Sequence, residues 1–213
     1  MLWPFYFVLS FVIMILCYVL NPIVLLFCDE DGELHGFLHY FQTWDDSCNP
    51  RCAVMDMAPK IISYDWDKHY VEYEDTTPEL EKVGRTRWFA KCINNNFTLK
   101  ERIKRYLCRV YWLTRNCSYG FSFYLLGADI DTSKIKIPER VKMSHKDYSR
   151  REEWLCYTDE NILTRKWSYS NSKKIFGKLY WNVWLGWKMS PSIHNTGLKR
   201  CMIAQRISFK IED

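Results

Sequence analysis

Three groups of residues stand at spacings that chemistry uses. Asp129-Ile130-Asp131-Thr132-Ser133 follows an apolar run. Two acids one residue apart at a strand end suit a nucleophile and its proton-transfer partner in aspartyl-phosphate chemistry. His35 and His39 stand four apart, on one face if their segment is helical, and Glu33 adds a third type of metal ligand. Cys48 and Cys52 are the one close pair among nine cysteines and could close a loop disulfide in an oxidising compartment.

Each group falls short of what its chemistry needs. Ser133 stands where an aspartyl-phosphate loop has Thr or Val, and the chain lacks the repeated strand–helix units and downstream acidic motif of such enzymes. Gly36 interrupts the histidine pair, and no further strong ligand is fixed beside it. No second Cys or His pair lies at zinc-ribbon spacing, and His69, His145 and His194 are isolated. The expectation is no catalytic residue, no metal and no cofactor. Asp129 and Asp131 should be exposed or paired with nearby Lys or Arg, and the cysteines, odd in number and irregularly spaced, should be mostly buried free thiols.

The strongest candidate for binding is a basic stretch. Thr98-Leu99-Lys100-Glu101 is a capping box, with Thr98 as N-cap and Glu101 at the third helical position. Leu99, Ile103, Tyr106, Leu107, Val110 and Leu113 follow at helical spacing, and Lys100, Arg102, Lys104, Arg105 and Arg109 fill the positions between. This predicts an amphipathic helix ending near Arg115-Asn116. Its apolar face turns to the core and its five basic side chains face outward, solvated or set against an anionic membrane surface or acidic partner. Between residues 82 and 115 there are ten basic residues and one acid, Glu101. That balance also permits nucleic-acid binding, although no DNA- or RNA-binding signature accompanies it.

The elements that must position these residues begin with an uncharged run. Residues 1–28 carry no charged side chain, and about 20 apolar residues suffice to cross the hydrocarbon core of a bilayer. The pattern predicts a membrane-anchor helix over about 4–20, with Pro22 kinking or ending it and a short apolar piece over 23–27. A cleaved signal peptide lacks its basic start and small-residue site here, and a core helix of this length without one charge is unusual. The next segment, 29–81, is acidic and loop-rich, with an interfacial helix or turn over 36–44 and a short strand over 60–66. The remainder, 82–213, is a basic α+β domain. Strands are expected over 121–126, 153–158, 174–189 and 200–210, with turns at Asn171-Ser172 and over 191–197. Gly177 and Gly186 mark bulges or bends within the third of these strands. The predicted fold class is α+β: an N-terminal membrane-anchor helix, one amphipathic basic helix and a C-terminal antiparallel β-meander.

Composition bounds the possibilities. The 213 residues are 48% hydrophobic and 26% charged, which excludes a wholly disordered chain and a multi-span membrane protein. The net charge of +5 conceals a division: residues 1–81 hold 14 acids and 3 bases, net −11, and residues 82–213 hold 27 bases and 11 acids, net +16. Either the basic part has an electrostatic partner or the acidic part folds against it.

Four blocks resemble a family of small, functionally uncharacterised proteins of tailed bacteriophages. They are Asn21-Pro22-Ile23-Val24-Leu25-Leu26-Phe27 with Asp29-Glu30-Asp31-Gly32; Phe41-Gln42-Thr43-Trp44-Asp45-Asp46; Trp112-Leu113-Thr114-Arg115-Asn116 with Tyr119-Gly120-Phe121; and Leu185-Gly186-Trp187-Lys188. The resemblance implies a phage gene product and supplies no catalytic residues. Under it, the two Asn-x-Ser/Thr sequons, at Asn96 and Asn116, are chance matches. The leading expectation is a non-enzymatic, membrane-tethered phage accessory protein at the host inner membrane, its body cytoplasmic. Its partners would be the lipid bilayer, anionic lipid and a host or phage protein. A membrane-anchored hydrolase and a nucleic-acid-binding module with the apolar N-terminus packed internally are the alternatives.

Overall fold

The structure is a computed structural model of the chain, and it describes residues 3–44, 46–49, 60–75, 87–137, 154–161, 165–189 and 197–211. Cys52 and all but Gly197 of the turn expected over 191–197 lie outside the described residues. The fold is α+β, with an apolar N-terminal helix, one capped basic helix and antiparallel sheets. The chain divides into two compact units: Met1–Val8 with Leu126–Asp213, and Leu9–Leu125. These units are drawn along different lines from the composition, which changes at 28 and 81.

Helix α1 spans Trp3–Val24 and passes through Pro22; a 3-10 turn, Leu25–Phe27, follows it. The expected break at Asn21-Pro22 does not occur. The Asn21 amide donates to the Leu113 carbonyl at 3.2 Å, and the Pro22 carbonyl accepts from the Tyr106 hydroxyl at 2.8 Å. Tertiary hydrogen bonds thus hold the segment in which local propensity alone would stop a helix.

The sheet-bearing unit is built from β3 (Ala128–Asp131), β4 (Trp154–Tyr157), β5 (Trp167–Phe176), β6 (Leu179–Trp187), β7 (Leu198–Cys201) and β8 (Ile203–Ile211). Strands β4-β5-β6-β8 form one antiparallel sheet, and β3 pairs with β7 in another. The predicted run over 174–189 is in fact two strands joined at Gly177, whose φ of +52° makes it a hairpin turn. Asn171-Ser172, expected as a turn, lies inside β5. The run over 200–210 is likewise split, at Met202. The core here is Ile130, Ile135, Cys156, Trp187, Met189 and Cys201, with Trp3 and Tyr6 packed against it.

The second unit contains α1 from Leu9 onward, a 3-10 helix over Gly36–Phe41, the antiparallel pair β1 (Tyr70–Asp75) and β2 (Arg87–Cys92), and α2 (Leu99–Arg115). Its core joins Cys17, Val24 and Leu25 of the N-terminal segment to Leu34, Phe41 and Cys48, and to Cys108, Trp112 and Leu113 of α2. Residues 60–66 form a turn and extended loop, not a strand. Phe121–Leu125, expected as a strand, is a π-helical turn. Its aromatic rings seal the Gly36–Phe41 helix, with Phe41 and Phe121 edge-to-face at 5.0 Å and Trp44 stacked on Phe123 at 4.7 Å.

Gly186 is a close-approach position. A Cβ there would stand 2.1 Å from the Trp167 carbonyl oxygen, its φ is +99°, and its own carbonyl accepts from Trp3 Nε1 at 3.0 Å. Gly186→Ala should cost about 1–3 kcal/mol through backbone strain and the clash with β5. Chemical denaturation followed by tryptophan fluorescence checks this, with Gly177→Ala as the comparison that shares a positive φ but not the clash, since a Cβ at 177 meets nothing within 4 Å, and that should cost less.

Candidate functional site

The site is α2 and the surface around it. The N-terminus of α2 is the capping box expected from sequence. Glu101 N–H donates to Thr98 Oγ1 at 3.2 Å, while Thr98 N–H and its hydroxyl donate to Glu101 Oε2 at 2.8 and 2.7 Å. Lys68 Nζ and His69 Nε2 reach the other carboxylate oxygen at 3.3 and 3.4 Å. The Thr98 hydroxyl and then the Thr98 amide hold the Glu101 carboxyl down at about 2. His69 is fully buried, its Nδ1 2.7 Å from the Asn94 carbonyl and its ring stacked on Phe97 at 3.8 Å. The His69–Glu101 pair is therefore a latch between the β1–β2 region and α2.

The orientation of α2 meets the expectation only in part. Arg105, Cys108, Arg109 and Trp112, at helical spacing, form the face turned inward. Leu99, Ile103 and Leu107, four apart, are 75%, 53% and 40% exposed. The helix and its period are as read, and Leu113, Tyr106 and Val110 turn to the core as expected, but Leu99, Ile103 and Leu107 face out while Arg105 and Arg109 face in.

The five basic residues consequently separate. Arg109 is 5% exposed; its Nε donates to Asn49 Oδ1 at 2.7 Å and its Nη2 to the Asp29 and Glu30 carbonyls at 2.9 and 3.2 Å. Its guanidinium is an internal clamp, not a surface contact. Arg105 donates to the Tyr70 hydroxyl at 3.1 Å and lies 4.2 Å from the Phe97 ring centre. Lys104 is half-buried and donates to the Ser63 carbonyl at 2.6 Å. Lys100 and Arg102 are exposed beside the apolar stripe. Arg102 Nε keeps one hydrogen bond, 3.4 Å to the Phe97 carbonyl.

Part of the acidic segment does fold against the basic helix, through backbone as well as side chains. The Glu30 carbonyl also accepts from the Tyr70 hydroxyl at 3.0 Å, and Asp31 Oδ1 accepts from Cys92 N–H at 2.6 Å.

The other sequence candidates are dispersed. His35 Nε2 lies 2.8 Å from Asp29 Oδ2, Glu33 Oε2 accepts from the Gln42 amide at 2.9 Å, and the His39 ring lies 4.8 Å from that of Tyr124. Asp129 pairs with Arg200 at 2.9 Å and Asp131 with Lys134 at 3.1 Å, the pairing with nearby bases expected of them. Among the described residues, no group of three or more His, Cys, Asp or Glu could hold a metal ion. The closest sulfur neighbours were not legible in sequence: Cys48 is in hydrogen-bond contact with Cys28, and Cys17 with Cys117. Both pairs are free thiols.

Along α1, Trp3, Tyr6, Ser10, Ile13, Cys17, Leu20 and Val24 are buried or half-buried, alternating at three and four residues. The opposite face is apolar and exposed, with Val8 at 61% and Val19 at 66%. Trp3–Phe27 is 25 residues long and apolar enough to cross a membrane, a length and composition that core helices and signal sequences share.

These features define an α+β protein of two units whose apolar N-terminal helix and capped basic helix turn apolar faces outward. Over residues 1–212 the chain matches the family of unknown function DUF7338 and belongs to it. No curated protein and no solved structure matches the chain.

Two outcomes test the site's internal chemistry. Arg109→Met takes away the donor to buried Asn49 Oδ1 and one donor each from the Asp29 and Glu30 carbonyls, and should destabilise the fold by roughly 1–3 kcal/mol. Arg109→Lys should restore little, because an ammonium cannot fill the guanidinium fork; urea midpoints check both. The folded-state pKa of Glu101 lies below its ordinary value of 4.5. Its stabilisation is therefore full above about pH 4.5 and is lost as pH falls towards 2. Melting temperature should fall across that window, and less steeply in Glu101→Gln.

Proposed function

We propose that this is a membrane-associated accessory protein of a tailed bacteriophage, acting without catalysis by holding a host or phage partner at the host inner membrane, its body on the cytoplasmic side. The observation that carries the membrane part is the outward apolar surface of α1 and α2. Val12, Ile15 and Val19 on one helix and Leu99 and Ile103 on the other are all about half exposed or more. An apolar surface of this extent on two neighbouring helices marks an interaction face. Phage origin is supported by the four sequence blocks from Asn21 to Lys188. A partner-binding role is supported by a second exposed apolar surface, on the sheet, where Trp181 pairs across strands with Phe209 and Ile207 lies beside them.

Deleting residues 1–27 would be a poor test, because Cys17, Val24 and Leu25 belong to the core. Val12→Lys, Ile15→Lys and Val19→Lys together alter only the outward face. The wild-type chain should pellet with membranes through an alkaline carbonate wash, and the triple variant should move to the supernatant. A wild-type chain recovered in the soluble fraction without detergent refutes the reading.

A further inference from the structure

We infer that α1 does not cross the bilayer but lies in the plane of one leaflet, with the Leu99–Ile103–Leu107 stripe of α2 entering the same leaflet and Lys100 and Arg102 meeting anionic lipid headgroups. This rests on the membrane reading above and specifies the surface that makes it.

The first argument is depth. Cys117 Sγ donates to the Met14 carbonyl at 3.3 Å, and Met14 stands at the middle of the apolar stretch Trp3–Phe27. Were α1 to span, Met14 would sit near the bilayer midplane. The exposed Arg115 would then be at hydrocarbon depth. A cation there is strongly disfavoured.

The second argument is attachment. Within Leu9–Leu125, Tyr106 and Leu113 of α2 bind Pro22 and Asn21, and Cys117 just beyond α2 binds Met14. A spanning α1 would therefore carry the C-terminal half of α2 into the bilayer alongside it.

The third argument is complementarity. Tyr106 and Val110 pack on the core that holds the end of α1, and Leu99, Ile103 and Leu107 occupy the adjoining outward arc of α2. Leu26 and Phe27, 69% and 66% exposed, end the α1 segment against which α2 packs. An apolar strip with Lys100 and Arg102 at its margin matches the boundary between acyl chains and acidic headgroups.

The test uses the full chain with an epitope tag at each terminus, produced in bacteria, with protease added to spheroplasts and to inverted membrane vesicles. Both tags should be cut in inverted vesicles and both protected in spheroplasts. Tags cut from opposite sides overturn the in-plane arrangement while leaving membrane association standing. A chain absent from the membrane fraction overturns both. In parallel, flotation with phosphatidylglycerol/phosphatidylethanolamine vesicles compares wild type with Leu99→Ser/Ile103→Ser/Leu107→Ser and with Leu99→Ile/Ile103→Leu/Leu107→Ile. The serine variant should partition at least about tenfold less, given the apolar area removed, and the conservative variant should match wild type. Equal flotation of all three overturns the inference.

Discussion

A guanidinium taken out of water must be met by acceptors on each donating edge, and in this protein that requirement organises the whole helical unit. Arg109 draws two successive carbonyls, Asp29 and Glu30, and the Asn49 side chain into one fork. Asn49 in turn donates to the Glu30 carbonyl at 3.3 Å, and Tyr70 donates to that same carbonyl, with Arg105 donating to the Tyr70 hydroxyl. A loop that would otherwise carry unsatisfied polar backbone is thereby fixed to α2, and β1 is tied to the same point. Because these groups are desolvated, losing one leaves the others exposed to the full cost of burial. Once α2 is clamped by its polar face, its apolar stripe has no remaining direction but outward.

What the sequence disclosed, and what it did not, follows the range of the interactions. The capping box of Thr98 and Glu101 is a three-residue signal, and it appears in the structure as written. The strand-rich C-terminal half was legible because β-branched and aromatic residues favour a pleated surface, yet the turn was misplaced. Asn171-Ser172 carries turn chemistry, but β6 and β4 pair on either side of β5 and hold the residues extended. Phe121–Leu125 looks like a strand in isolation and is helical because Gly120 lets the chain approach the Tyr40 and Gln42 carbonyls, where a Cβ would stand 2.5 and 2.3 Å away. The strand pair β1–β2 went unread because its pairing partners are non-local. Cys28–Cys48 and Cys17–Cys117 were hidden for the same reason: separations of 20 and 100 residues leave no local pattern.

The four blocks that resemble phage proteins acquire a physical meaning once placed. Asn21-Pro22 is where α1 receives hydrogen bonds from, and gives them to, α2. Gln42 is fully buried, with its carbonyl accepting from Leu34 N–H at 2.9 Å and its amide donating to Glu33 and to the Asp46 carbonyl. Gly120 and Gly186 are positions where backbone meets backbone. The blocks mark points where distant segments lock together.

The rotation of α2, with Leu113 inward and Leu99, Ile103 and Leu107 outward, bears on how amphipathicity is read at all. Periodicity fixes the axis that divides one face of a helix from the other. It does not fix which face is inside, because that depends on what lies outside. In water, an inward Arg105, Arg109 and Glu101 facing away from an outward Leu99, Ile103 and Leu107 would sacrifice apolar burial while incurring charge desolvation. The arrangement becomes favourable if the outer medium is itself apolar, since the stripe then loses nothing by leaving the core and the charges gain by leaving the lipid. α1 differs: it is apolar on both faces, burying Ile13, Cys17, Leu20 and Val24 beside Ser10 and Asn21 while Val8 and Val19 face out. On both helices the medium outside, and not the periodicity, decides which apolar arc can stay exposed.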